Sequence, residues 1–120
     1  MRIIAWLKYR SPFGMAFMFQ RITGIILLIY LIMHLCYLTS LQSKELYESL
    51  TALTVSKQFF IFESLLIFCG VFHGVNGLRI VVHEFGFAHE MRKLILIIST
   101  IIAILGWLIG SYILYMALGD

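Results

Sequence analysis

The sequence predicts an all-α membrane protein with three transmembrane helices, and three observations carry that prediction. Of its 120 residues, 62% are hydrophobic and only 12% charged, with a single proline. A domain this small buries a modest fraction of its surface in water, so that much apolar surface belongs in lipid. The apolar residues fall into three runs, each long enough to cross a hydrocarbon core of about 30 Å as a helix of about 20 residues. Lys, Arg, Trp and Tyr collect at the ends of the runs, where a membrane surface places them.

Residues 1–21 mix Arg2, Lys8 and Arg10 with Trp6, Tyr9, Phe13, Phe17 and Phe19, the composition of an interfacial segment. Ser11-Pro12 reads as a turn within it. Residues 22–41 form helix I. Residues 42–57, with Lys44, Glu45, Glu48 and Lys57, are too polar to span and read as an outer loop or short connecting helix. Residues 58–83 form helix II. Residues 84–93 are a polar cytoplasmic loop, and residues 94–118 form helix III, with Trp107, Tyr112 and Tyr115 as interfacial anchors. The start of the chain lacks the small-residue cleavage site of a secretory signal.

Charge sets the expected orientation. Four Lys or Arg precede helix I, three flank the second loop, and two lie in the first loop, balanced by Glu45 and Glu48. The positive-inside rule therefore puts the N-terminus in the cytoplasm and the C-terminus outside a cell inner membrane. Phosphate loops, paired-cysteine metal motifs and nucleophile constellations are all missing. The basic residues flank the membrane and form no nucleic-acid patch. Cys36 and Cys69 lie inside apolar runs and read as small buried residues.

Two histidines fall where lipid should exclude them. His73 lies in helix II and His34 in helix I, and an ionisable group at membrane depth is a candidate functional group. Gly70, His73, Gly74 and Gly77 share one side of a helix at their spacing, and the glycines open that side to a flat ligand or a second helix. Imidazole is a common axial ligand of haem iron, so His73 and His34 are the expected ligands, with interhelical hydrogen bonding as the alternative. Asn76 either enters the same pocket or bridges helices. Arg21 and Arg79 suit a propionate or a quinone carbonyl, or snorkel to the surface. His34 lies roughly 20 Å beyond Arg21, whereas His73 lies roughly 9 Å from Arg79 at 1.5 Å per residue. That offset, on the order of 5–10 Å, assigns the two histidines to different haems, each needing its second ligand from a partner chain. His83 and Glu84 read as a solvated helix end, with a proton relay as the alternative. Glu63 reads as interfacial.

Two stretches carry a family resemblance. Gln20-Arg21-Ile22-Thr23-Gly24 resembles the His-Arg-x-(Ser/Thr)-Gly signature of the cytochrome b membrane-anchor subunit of succinate dehydrogenase. Phe72-His73-Gly74-Val75-Asn76-Gly77-Leu78-Arg79, followed by Glu84-Phe85-Gly86, resembles its second signature. The resemblance covers about residues 14–86. It implies half of a haem-binding helix bundle, completed by a second small anchor subunit and carrying an iron–sulfur subunit and a flavoprotein subunit. Succinate is then oxidised in the flavoprotein, and electrons reach ubiquinone or menaquinone where the anchor meets the iron–sulfur subunit. His73 matches the haem-ligand position and Arg21 the quinone-site arginine. His34 occupies the kind of position used by members with two haems; one haem is the alternative. Gln20 replaces the signature histidine, Phe17 stands where some members use a serine for quinone, and Glu84 replaces an aspartate. The rival readings are a fumarate-reducing anchor, a haem-free structural anchor, and a transporter subunit with a proton-relay histidine pair.

Overall fold

The computed structural model describes residues 11–118 and is helical throughout, with no strand among them. Helix α1 runs Pro12–Thr39, α2 Lys44–Thr54, α3 Phe60–Glu84 and α4 Arg92–Ala117. Short 3-10 turns at Ser40–Gln42, Lys57–Phe59 and His89–Met91 join them. Helices α1, α3 and α4 are each long and apolar enough to cross a membrane. The expected three-span all-α class is what the structure contains.

The solvent preference of the surface is that of a membrane protein. Ile25, Met33 and Leu28 are 60%, 65% and 58% exposed. The buried side chains among the described residues include Thr23, Ser40, Asn76 and Arg79 beside Ala16, Cys69, Leu96 and Ala103. Polar groups turn inward because lipid offers them no hydrogen bond.

Helix α1 differs from the expected boundaries. Residues 1–10 of the expected interfacial segment lie outside the described residues. Residues 12–21 are the first turns of α1 and not a separate segment. Ser11 is the N-cap, its Oγ accepting from the Gly14 amide at 3.1 Å, and Pro12 occupies the first turn. There proline's missing N–H costs nothing and its fixed φ suits the helix. With 28 residues, α1 is about 42 Å long and exceeds the hydrocarbon core. The expected outer loop contains α2, capped by the Ser43 hydroxyl on the Leu46 amide at 3.4 Å. Tyr37 of α1 holds α2 through Thr51 at 2.8 Å.

Helix α3 is the central helix, packed against α1 on one side and α4 on the other. Its end is set by backbone chemistry. Gly86 adopts φ +83°. Its amide bonds the His83 carbonyl at 3.0 Å, and the Phe87 amide bonds the Val82 carbonyl at 3.3 Å. This is the Schellman pattern, in which a left-handed residue just past the helix satisfies its last carbonyls, and glycine adopts that conformation without a Cβ clash.

The α3–α4 contact rests on Gly106 and Gly110. A Cβ on either would come within 2.9 Å of Val71 Cγ1 or Ile67 Cγ2 respectively. Small residues four apart let two backbones approach closely in a membrane. Trp107, expected as an interfacial anchor, is half-buried instead. Its Nε1 donates to the Ser64 carbonyl and hydroxyl, both at 3.0 Å, and Ser64 bonds Ser111 at 2.7 Å. Its ring packs edge-on against Phe68. Tyr115 does sit near the end of α4, against Phe60 and Lys57.

Candidate functional site

The α1–α3 contact is polar, and His73 stands in it. Its Nδ1 lies 3.3 Å from the Gln20 carbonyl oxygen and 3.3 Å from Thr23 Oγ1. The Thr23 hydroxyl faces the Phe19 carbonyl at 2.7 Å and the Gln20 carbonyl at 3.1 Å. Gly24 lies beside the imidazole, where a Cβ would sit 3.1 Å from Cε1. The other ring nitrogen, Nε2, has no hydrogen-bond partner among the described residues.

A hydrogen-bond chain runs on from this point. Gln20 Nε2 donates to the His73 carbonyl at 3.2 Å, and Gln20 Oε1 accepts from Asn76 Nδ2 at 3.0 Å. Asn76 Nδ2 also donates to the Ala16 carbonyl at 3.3 Å. Asn76 Oδ1 accepts from Arg79 Nε at 3.0 Å. Asn76 and Arg79 are 3% and 8% exposed, and the Arg79 guanidinium lies over the Phe13 ring, 5.9 Å from its centroid. Its partners are neutral, although a buried cation in lipid is stable only when matched or near a surface. Gly77 gives Gln20 room, since a Cβ there would stand 3.0 Å from Gln20 Nε2.

A half-buried histidine tied to the opposite helix thus stands beside a buried arginine that meets no carboxylate among the described residues. The comparison with known families decides the wider identity. The profile of the succinate dehydrogenase/fumarate reductase transmembrane subunit family matches residues 5–114. The chain belongs to this family. It is therefore a membrane subunit of an oxidoreductase complex, as the signatures around Arg21 and His73 implied. Neither a curated protein nor a solved structure is similar enough to match the chain.

Within this family member, the predicted residues do not all converge. The single glycine face of α3 divides in two. His73 and Gly77 turn to α1, whereas Gly70 and Gly74 are exposed and would have nothing within 4 Å of an added Cβ. The side chains of 73 and 77 lie about 40° apart around the helix, whereas 74 is a further 60° on at 3.6 residues per turn. Arg21 does not join the network. Its side chain is exposed, with the guanidinium 5.8 Å from the Phe17 ring centroid. His34 is exposed and stacks on Tyr30, ring centroids 5.7 Å apart. It lies eleven residues beyond Thr23, about 16 Å along α1, so it is far from the level of His73. His83, at the end of α3, is bonded through Nδ1 to the Phe87 carbonyl at 3.2 Å and stands 5.8 Å from the His89 ring.

Sequence reasoning missed Gln20 as the junction of this network, and it overlooked Gly24 as the seat of the imidazole. Both are in the first signature. An amide at position 20 has a donor and an acceptor side by side, which is the property the network uses.

Proposed function

We propose that this chain is the cytochrome b anchor of a succinate:quinone oxidoreductase, with His73 as an axial ligand of a b-type haem. The observation that carries this reading is the state of His73. One ring nitrogen is held by α1, and the other is without a partner among the described residues. The surroundings fit the group. The open surface at Gly70 and Gly74 leaves room for a flat ring, and among the described residues Arg79 meets Asn76 but no carboxylate. Its terminal N–H groups suit a propionate, because an arginine fork pairs well with a carboxylate. When bound, the haem supplies a one-electron centre whose potential its axial ligands help to set.

His34, about 16 Å from the level of His73, serves a second haem. Each iron takes its remaining ligand from a second small anchor subunit. Arg21, exposed on α1, contacts the quinone where the iron–sulfur subunit docks, and a flavoprotein subunit oxidises succinate. The N-terminus and the α3–α4 loop then face the cytoplasm.

The test is a reduced-minus-oxidised spectrum of the purified complex with a pyridine-haemochrome count per copy of this chain. Two b haems are expected, and His73→Ala should remove one of them. A complex without haem overturns the reading. Two haems surviving in His73→Ala overturn the ligand assignment, and one haem in the wild type removes the role given to His34.

A further inference from the structure

We infer that the α1 edge formed by Gln20, Thr23 and Gly24 fixes the tautomer and tilt of His73, which makes Thr23 a positioning residue for the iron ligand. This inference rests on the haem reading above. A carbonyl oxygen can only accept, so the contact between the Gln20 carbonyl and His73 at 3.3 Å requires the proton on Nδ1. Thr23 Oγ1 has one proton, and its shortest contact is the Phe19 carbonyl at 2.7 Å. Its lone pairs therefore face His73, and the hydroxyl is a second acceptor for the same N–H at 3.3 Å. With Nδ1 protonated, the lone pair of the neutral ring is on Nε2, the form a metal takes. A ring N–H held by a carbonyl or hydroxyl orients a ligating histidine and raises its basicity. Thr23 is 2% exposed, so water does not replace its hydroxyl readily. Gly24 completes the seat. A methyl group there would lie 3.1 Å from Cε1, so the ring would have to shift by a few tenths of an ångström against its acceptors.

A more basic Nε2 favours the ferric state, so removing an acceptor raises the midpoint potential of this haem. The experiment is a redox titration with low-spin EPR on the intact complex. Thr23→Val replaces the hydroxyl by a methyl at similar volume. It should raise the midpoint of the His73 haem and shift its g-values, while the other haem is unchanged. Thr23→Ser should return both readouts to wild type. Gly24→Ala should shift the same g-values, and it carries the test if Thr23→Val does not assemble. Wild-type midpoint and g-values in Thr23→Val, or unchanged g-values in Gly24→Ala, overturn the inference where His73→Ala still removes that haem. If His73→Ala removes none, the assignment of His73 as a ligand has failed, and a complex without haem means the haem reading itself has failed.

Discussion

Replacing Asn76 by alanine separates a designed polar junction from an incidental one. The side chain makes three hydrogen bonds: two donated, to the Ala16 carbonyl and Gln20 Oε1, and one accepted from Arg79 Nε. The Ala16 and Gln20 bonds cross to α1, whereas the Arg79 bond stays within α3; interhelical bonds in a membrane average about 0.6 kcal/mol each, with a maximum of about 1.7, so the two contribute about 1.2 kcal/mol. Alanine is the better helix former by up to about 0.7 kcal/mol, which offsets part of that loss. The net destabilisation expected is therefore about 0.5–1 kcal/mol, drawn from the same membrane averages. The assay is reversible unfolding of the detergent-solubilised complex, run as a double-mutant cycle with Gln20→Ala. The coupling between the two positions should be about 0.6 kcal/mol or more, because Asn76 Nδ2 and Gln20 Oε1 are 3.0 Å apart. Additive losses would mean that the two amides do not act on each other, and the network would not hold α1 against α3.

Three other substitutions probe separate features. Gly106→Ala brings a Cβ within 2.9 Å of Val71 Cγ1 and should cost about 1–3 kcal/mol by overpacking; Val71→Ala should restore most of it, and a thermal melt that shows no rescue refutes the close approach. Gly86→Ala forces a Cβ into φ +83° and should cost about 1–2 kcal/mol, with Gly86→Asn milder, as read from the same melts. Arg21→Ala should lower quinone reduction more than succinate-to-dye transfer, and equal loss in both assays would point to assembly instead.

The three spans were legible because lipid imposes a simple requirement on composition and length, and helices α1, α3 and α4 meet it independently of their contacts. Local punctuation was harder to read. Pro12 has the same residue identity at a turn and at a first helical position; only the cap at Ser11 distinguishes them. The Gly106-x-x-x-Gly110 spacing was present in the sequence, yet its meaning depends on which helix lies opposite. Trp107 shows the same limit. A tryptophan flanking an apolar run normally sits at the interface, but Trp107 lies ten residues before the end of α4 and Ser64 offers its N–H a partner within the bundle. Gln20 was visible as a departure from a signature. Its two-sided role needed the position of α3, because the backbone of His73 and the side chain of Asn76 come from 53 and 56 residues away.

Depth illustrates why contacts outrank end markers. Counting from Arg21 and Arg79 puts the two histidines on the order of 5–10 Å apart in level, with Arg21 at the start of a helix. In the structure α1 begins at Pro12, nine residues earlier, so Arg21 does not mark the start of the helix. The contact between Thr23 and His73 supplies a direct reference instead, and the offset becomes about 16 Å. His34 and His73, if both held haem, would hold different haems at that separation. No modest tilt of α1 closes the difference. On the haem reading this chain can therefore complete neither haem by itself. On that reading His34 and His73 would each need a ligand from another subunit, and haem loading would depend on assembly.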